Sequence, residues 1–264
     1  MPRGAITGDT ITGDMIAGDT IPGDTIPGDA IPSDTIPGDA IPRDAMPRGA
    51  MPRGAIPRFP VYLFDIDGTL LDSAEDICGA IQQVLSATDC SPVTFDYLKS
   101  FIGRHLIDLF SDVFPGCTQQ RMDGLIQQYR TTYLARRHQQ TRVYPGVDEA
   151  LAALGGRKGT ATTKGTPTTR AILDQFGLLP YFEHVQGTDG FPCKPAPDVI
   201  LASLAALGAR PDQCLFVGDS AADMEAGKRA GVKTCAVRYG YGKPEDLARF
   251  EPDFWVDDLR EVAG

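Results

Sequence analysis

The stretch FDIDGTLLDS (64–73) places three aspartates and one glycine directly behind a short apolar run. The run VYLFD (61–65) is typical of a buried strand, and this strand ends on a carboxylate. Asp65 and Asp67 lie two positions apart, so their side chains start on the same side of an extended chain. Two like charges at this spacing resist ionising together unless a positive group lies between them. The stretch therefore predicts that a cation meets the end of this strand.

Beyond residue 143, strand-like runs alternate with helical patterns. Pro167 lies in the first turn of one predicted helix, and Gly177 and Gly231 follow the ends of two others; all three are typical helix boundaries. This alternation predicts an α/β fold, a Rossmann-like parallel sheet flanked by helices. The predicted strands after the first are GTATT (159–163), HVQGTD (184–189), CLFVGD (214–219), KTCAVRYG (233–240) and FWVDDL (254–259), the last with Trp255 in the core.

Residues 74–143 carry helical patterns and interrupt the alternation after its first strand. Apolar residues recur there at the three- and four-residue spacing of amphipathic helices. We therefore predict an inserted all-helical cap domain over 74–143. The catalytic core would then consist of residues 59–73 and 144–264.

Residues 1–58 differ from the rest, because from residue 5 onwards they repeat every five, as in TIPGD. A period of five fits neither a strand nor a helix, so the apolar residues cannot line one face. We expect a low-complexity tail that is disordered or polyproline-like. A stacked β-helix or calcium-binding array is the weaker alternative, because the many prolines break inter-coil hydrogen bonds. The repeat also looks like a translated tandem DNA repeat, with Met46 and Met51 as alternative starts.

The net charge and the spacing of the cysteines argue against several classes of function. A formal charge of -10 over 264 residues argues against nucleic-acid binding and against adhesion to anionic membranes. No apolar run approaches the roughly 20 residues that span a bilayer, and the N-terminus lacks a signal-peptide pattern. The six cysteines form no C-x-x-C pair, which favours free thiols over a zinc site. We expect a cytoplasmic protein, monomeric or homodimeric.

Polar side chains collect where the predicted strands end, which is where parallel sheets bind ligands. Hard oxygen donors without a nearby histidine or thiolate suit Mg²⁺. Such an ion relieves carboxylate repulsion and attracts phosphate, so the pattern favours phosphoryl transfer. The residues concerned are Asp65, Asp67, Thr162, Thr163, Lys164, Lys194, Asp219, Ser220 and Asp223.

Each feature has an ordinary structural explanation when it is taken alone. The pattern D-x-D-G-T is compatible with an acidic turn, GDSAAD with a helix cap, and Lys194 with a solvated loop charge. Their joint order, each at the end of its own apolar run, favours the chemical interpretation.

Four motifs carry a family resemblance. In order, DIDGTLLDS (65–73), ATTK (161–164), CKPAPD (193–198) and VGDSAAD (217–223) resemble the motifs of the haloacid dehalogenase (HAD) superfamily of phosphatases. The helical segment resembles the family's C1-type cap. The stretches YPGV (144–147) and RYGYG (238–242) resemble the phosphoglycolate phosphatase branch. One departure is Thr163, which stands where the family usually has asparagine.

The resemblance implies a role for each matching residue. Asp65 is the expected nucleophile, which forms an aspartyl-phosphate, and Asp67 is the expected general acid and base. Thr162 and Lys194 are expected to hold the phosphoryl group during catalysis. The expected Mg²⁺ ligands are Asp65, the main-chain carbonyl of Asp67, Asp219 and, directly or nearby, Asp223. The expected substrate-binding residues are Gly68, Thr69, Thr162, Thr163 and Lys194. Arg104 is added to them because of its position in the insertion, outside the four motifs.

The sequence as a whole predicts a Mg²⁺-dependent phosphatase of a small phosphorylated metabolite, with 2-phosphoglycolate as the leading candidate. Two alternatives stay open. One is a sugar phosphomutase like β-phosphoglucomutase, which shares these motifs and this cap, and the other is a non-catalytic protein that binds through the repeat tail. Arg104 and His105 follow a glycine between two helices. They form either a solvated helix start or a specificity loop in which Arg104 meets the anionic end of the substrate.

Overall fold

The computed structural model describes residues 55–264, and its centre is a parallel sheet in the order β4-β1-β5-β6-β7. A separate antiparallel pair is formed by β2 and β3. The predicted α/β class, a Rossmann-like parallel sheet flanked by helices, is confirmed. The strands are β1 Val61–Phe64, β2 Leu71–Asp72, β3 Arg142–Val143, β4 Arg157–Thr160, β5 Cys214–Gly218, β6 Lys233–Val237 and β7 Phe254–Val256.

Helices cover both faces of the sheet. All four side chains of β1 are buried, and since alternate side chains point to opposite faces, both faces must be shielded from water. Tyr62 and Phe64 belong to one buried cluster, whereas Val61 and Leu63 belong to another. None of the described helices combines the length and the apolar character needed to cross a membrane. The helices are α1 Ala74–Ser86, α2 Phe95–Lys99, α3 Leu106–Val113, α4 Gln119–Ala135, α5 Val147–Ala153, α6 Thr166–Gln175, α7 Asp198–Ala206, α8 Ala221–Ala230 and α9 Pro244–Ala248.

The helices α1 to α4 have a hydrophobic cluster of their own, with Leu98, Leu109 and Phe110 at its centre. We call residues 74–143 the helical insertion. Its two connections to the sheet run side by side, because β2 pairs with β3 through Leu71↔Val143 and Asp72↔Arg142. Whether the insertion acts as a separate cap domain stays a prediction.

The buried carboxylate of Asp76 in α1 fixes the returning connection. It accepts hydrogen bonds from the backbone N–H groups of Gln140 and Thr141, each at 2.9 Å, and from the Thr141 hydroxyl at 2.8 Å. Arg136 forms an ion pair with the same carboxylate at 3.1 Å. The end of α4 is thereby tied to the start of α1.

Some predicted boundaries are wrong. The stretch HVQGTD (184–189) forms only single bridges to Gly159 and Thr162, because the Thr160 hydroxyl bonds both backbone groups of Gln186 and takes the place of a ladder. The strand predicted at 159–163 lies instead at 157–160, where the edge of the sheet tolerates the charged Arg157 and Lys158. The stretch before residue 144 is not all helical, because β3 lies there, and α9 was not predicted.

The predicted tail, residues 1–58, lies outside the described residues except for its last four positions. Of these, Ile56 is partly buried and packs against the main hydrophobic cluster. The prediction of a disordered or polyproline-like conformation for the rest is not addressed by the structure.

Candidate active site

Three adjacent strands bring the predicted residues to one edge of the sheet. β1 lies between β4 and β5, and all three run in the same direction. Asp65 directly follows β1, Asp219 directly follows β5, and Thr162 comes two residues after β4. The carboxyl ends of neighbouring parallel strands meet at one edge. The strand order therefore places the Asp65 carboxylate in the middle of the site.

A buried lysine neutralises part of this acidic edge. The Lys194 ammonium donates to Asp65 Oδ1 at 2.8 Å and to the Ala161 carbonyl oxygen at 3.1 Å, and it also bonds Asp223. Burial by itself lowers the pKa of Lys194, but the two carboxylates raise it above its usual value. Lys194 is therefore a fixed positive charge beside the expected nucleophile.

Asp65, Asp219 and Asp223 offer carboxylate oxygens that all lie within 4.8 Å of one another, and all three residues are buried. Burial raises the pKa of Asp65 to about 6, against the lowering effect of Lys194. Burial and then the neighbouring carboxylates raise the pKa of Asp219 well above its usual value. One lysine thus leaves negative charge uncompensated. A hard divalent cation with oxygen ligands, such as Mg²⁺, fits this donor set.

The carboxylate of Asp219 is held from several sides. Its Oδ1 accepts from the Thr69 hydroxyl at 3.1 Å, and its Oδ2 accepts from the backbone N–H of Tyr241 at 2.8 Å. Gly68 has a positive φ of 89°, and a Cβ atom at this position would lie 2.2 Å from Asp219 Oδ2. A larger residue at position 68 would both strain the turn and displace the carboxylate.

Asp223 has a different environment, because both of its oxygens already have protein partners. Oδ1 bonds Lys194, and Oδ2 accepts from the backbone N–H and the hydroxyl of Ser220, at 2.9 and 2.6 Å. These bonds also form the N-terminal cap of α8. The helix-cap interpretation of GDSAAD is therefore correct as local structure, and it coexists with a place in the acidic cluster.

Asp67 lies on the cavity side of the turn. Its Oδ1 accepts from the Ser73 hydroxyl at 2.6 Å, and its Oδ2 forms an ion pair with Lys164 at 3.1 Å. The Lys164 ammonium also donates to the Tyr133 hydroxyl of α4 at 3.0 Å. Burial alone would lower the pKa of Lys164, but Asp67 raises it well above its usual value. The expected acid–base residue is thus linked through Lys164 to the helical insertion.

The loop after β4 makes a second contact with the insertion. The Thr163 hydroxyl donates to the Gly103 carbonyl oxygen at 3.0 Å. Thr162 is buried at the strand end, and its hydroxyl oxygen accepts a long bond from the backbone N–H of Lys164 at 3.4 Å. Thr163, at the position where the resemblance leads one to expect asparagine, therefore positions the loop between α2 and α3.

A cavity of about 910 Å³ lies between the sheet edge and the insertion. Asp65, Asp67, Thr162 and Lys164 line one side of it, and mainly apolar and aromatic side chains of the insertion line the other. Arg104 also lines the cavity, but it is exposed, and its guanidinium carbon lies 5.3 Å from the centre of the Phe101 ring. His105, for its part, caps α3 by accepting from the backbone N–H of Ile107.

The structure thus brings the predicted site residues of the sheet edge together at the cavity. Arg104 belongs to the insertion and lies in the loop that Thr163 contacts through the Gly103 carbonyl oxygen. Three residues with site contacts had no predicted role. Lys164 was visible at a strand end and Tyr241 within RYGYG, but Tyr133 had no sequence signal, because a tyrosine in a long helix is normally a core residue.

Comparison with known proteins agrees with the family resemblance of the four motifs. The family model for haloacid dehalogenase-like hydrolases matches residues 62–237, more than half of the chain. A phosphoglycolate phosphatase of Aquifex aeolicus is 35% identical over 198 residues, which cover 74% of this chain and 90% of that protein. Phosphoglycolate phosphatase 1 of Pseudomonas aeruginosa is 32% identical over 211 residues, which cover 76% of this chain and 77% of that one.

A solved structure supports the fold. The haloacid dehalogenase-like family hydrolase of Streptococcus pneumoniae superposes with a TM-score of 0.71 at 24% identity, and the match covers 77% of this chain and 96% of the other. At this identity the likeness concerns the fold alone. The fold, the family model and the relatives named phosphoglycolate phosphatase agree, and this chain belongs to the haloacid dehalogenase-like hydrolase family.

Proposed function

We propose that this hydrolase is a Mg²⁺-dependent phosphatase that cleaves a small organic phosphomonoester, with 2-phosphoglycolate as the leading candidate. The observation that carries the proposal is the pairing of a buried Asp65 with Lys194 at 2.8 Å, at the wall of a cavity large enough for a small substrate. Two relatives that are more than 30% identical are named phosphoglycolate phosphatases. The cytoplasmic location and the monomeric or homodimeric state stay predictions.

The first chemical step uses the two carboxylates of the turn. The Asp65 carboxylate attacks the phosphorus atom, a phosphorus–oxygen bond forms, and the bond from phosphorus to the substrate oxygen breaks. Asp67 gives its proton to the departing oxygen, so that an alcohol leaves. Lys194 and the Thr162 hydroxyl hold the phosphoryl oxygens and stabilise the charge that develops on them.

The second step restores the enzyme. Asp67 takes a proton from a water molecule, which attacks the phosphorus of the aspartyl-phosphate. The bond between phosphorus and Asp65 breaks, and inorganic phosphate leaves. Asp67 thereby recovers the proton that it gave in the first step. Overall, one ester and one water yield one alcohol and one phosphate.

The acidic cluster would hold Mg²⁺ through Asp65, Asp219 and the main-chain carbonyl of Asp67. Asp223 would support it from nearby, because its oxygens already bond Lys194 and Ser220. When bound, the ion would supply positive charge that offsets the charges of the carboxylates and the phosphoryl group.

The variant Asp65→Asn tests the proposal most directly. Phosphate release from a panel of small phosphomonoesters with Mg²⁺ should fall to background, because an amide cannot act as the nucleophile. Addition of a chelator to the unaltered protein should also stop phosphate release. The matched control is Asp212→Asn, an exposed aspartate in an ion pair with Arg210, which should leave turnover unchanged.

Product analysis separates the reaction classes. Free inorganic phosphate identifies a phosphatase, whereas an isomerised sugar phosphate identifies a mutase. Substantial turnover by a folded Asp65→Asn variant would exclude the covalent mechanism.

A further inference from the structure

We propose that Lys164 determines substrate specificity by binding a carboxylate on the organic part of the substrate. The proposal deepens the phosphatase function above and rests on it. It selects phosphomonoesters of small hydroxy acids over phosphomonoesters of neutral alcohols.

The position of Lys164 is the first support. Its side chain is only 10% exposed, and it lines the cavity beside the expected acid–base residue. The ammonium lies 3.1 Å from Asp67 Oδ2 and 3.0 Å from the Tyr133 hydroxyl oxygen. An ammonium has three N–H donors. Two of them are used by these neighbours, so one remains for a ligand.

Tyr133 supplies a second donor at the same place. Its hydroxyl oxygen accepts from Lys164, so the hydroxyl hydrogen points elsewhere. Among the described residues no acceptor for that hydrogen is found, although the tyrosine is buried and lines the cavity. A buried hydroxyl hydrogen without an acceptor favours a ligand oxygen. The ammonium and the hydroxyl together offer one donor to each oxygen of a carboxylate.

The charges also favour an anion here. Lys164 now neutralises Asp67, and both groups lie at the cavity wall close to the expected phosphate position. A carboxylate on the substrate competes with Asp67 for Lys164 and relieves the hold on the acid–base residue. A neutral substrate makes no such contact, so Lys164 stays paired with Asp67 and does not contribute to binding that substrate.

Arg104 is the other cation considered for this role, and its setting differs. It is exposed, its guanidinium lies over the Phe101 ring, and among the described residues it forms no hydrogen bond or ion pair with a site residue. In a substrate as small as 2-phosphoglycolate, the carboxylate lies only a few bonds from phosphorus. Lys164 beside Asp67 is within that reach, since Asp67 must itself contact the leaving oxygen.

The experiment compares kcat/KM for 2-phosphoglycolate with kcat/KM for ethyl phosphate, which has similar size and no carboxylate. Lys164→Met should lower the first value about 10- to 100-fold, the range expected for loss of a charged hydrogen bond. Loss of the ion pair with Asp67 affects both esters alike, so the ratio of the first value to the second should fall about 10-fold or more. Lys164→Arg should restore part of the selectivity, and Tyr133→Phe should lower it by a smaller factor, so that the test does not depend on one variant folding.

The control variants are Lys158→Met and Arg104→Met. Lys158 is a partly buried lysine six residues upstream that donates to the Leu154 carbonyl oxygen, away from the cavity, so its loss should not change selectivity. Equal losses on both substrates in Lys164→Met would overturn the inference and leave the phosphatase function standing. A selective loss in Arg104→Met alone would also overturn it. If the unaltered protein releases phosphate from other esters of the panel but not from 2-phosphoglycolate, the inference fails and the phosphatase function stands. If it releases phosphate from no ester, both fail.

Discussion

Burial has a greater effect on the pKa of Asp65 than the neighbouring charge of Lys194 does. The carboxyl group has almost no exposure, and its pKa is raised to about 6 although Lys194 lies 2.8 Å away. A group whose pKa is higher in the folded than in the unfolded protein stabilises the fold at low pH, and that stabilisation is lost as the pH rises through the higher pKa. The raised pKa values of Asp65 and Asp219 therefore act against folding at neutral pH, and a bound cation would offset this cost.

This predicts how Mg²⁺ stabilises the protein. Saturating Mg²⁺ should raise the melting temperature by roughly 5–10 °C at pH 7.5. The increase should be clearly smaller at pH 5.0, because protons then occupy Asp65, whose pKa is about 6. Thermal unfolding at both pH values, with NaCl of equal ionic strength as control, measures the difference. An equal or larger increase at pH 5.0 would contradict the proposed ligand set.

Some residues of the site could be placed from the sequence, and others could not. Asp65, Asp219 and Lys194 could be placed together from the sequence, since strand ends of a parallel sheet share one edge. The partners of Lys164 could not, because Tyr133 belongs to a helix whose orientation depends on the packing of the whole insertion. Arg104 lies between two helices as predicted, and its exposure agrees with the solvated helix start that was one of the two interpretations.

Among the elements, α1 starts in an unusual way. Its N-cap residue Ser73 does not cap the helix with its side chain, because the hydroxyl bonds Asp67 instead. The Tyr241 hydroxyl accepts from the backbone N–H groups of Ser73 and Ala74, at 2.6 and 3.0 Å, and bonds Asp72 at 2.9 Å. The backbone N–H of Tyr241 meanwhile bonds Asp219. One tyrosine therefore joins the start of the insertion to the proposed metal ligand.

We predict that Tyr241→Phe destabilises the protein without weakening Mg²⁺ binding. The helix start loses its acceptor, which costs about 1–3 kcal/mol, while the backbone bond to Asp219 does not depend on the hydroxyl. Thermal denaturation and a Mg²⁺ titration measure the two effects. Tyr181→Phe is the matched control, since the Tyr181 hydroxyl bonds only the exposed Asp148. An unchanged melting temperature would show that water replaces the hydroxyl.

The elements themselves were mostly predictable. Helix boundaries marked by Pro167, Gly177 and Gly231 agree with the structure, because these residues act through local backbone geometry. The short pair β2–β3 was missed, because a two-residue strand has no periodicity and exists only through its partner. The strand predicted at 184–189 is absent for another reason that the local pattern does not show. The Thr160 hydroxyl bonds the backbone N–H and carbonyl groups of Gln186, which a neighbouring strand would otherwise bond.

For the molecule as a whole, the position of the family match predicts which part of the chain is needed for catalysis. The match begins at residue 62, beyond the five-residue repeats. A variant that lacks residues 1–54 should therefore keep its kcat and KM. A variant that lacks residues 1–58 should also keep its activity, but its stability should fall by about 1 kcal/mol, since Ile56 packs against the main hydrophobic cluster.

Steady-state kinetics and thermal unfolding of the two truncated proteins check this. Loss of turnover in the shorter deletion would show that the repeats take part in catalysis. Equal melting temperatures for the two deletions would show that the contact of Ile56 contributes nothing.

The glycines around Asp219 have a thermodynamic consequence for the whole site. Cβ atoms on Gly68, Gly240 and Gly242 would lie 2.0–2.2 Å from atoms of Asp219, so backbone from two loops closes directly on this residue. A ligand side chain that is enclosed in this way has few conformations left to lose. The entropy of ordering it is spent when the chain folds, not when an ion arrives. The space beside Asp219 is accordingly bounded by main-chain atoms, and we expect the proposed cation site to accept ions of only a narrow range of radius.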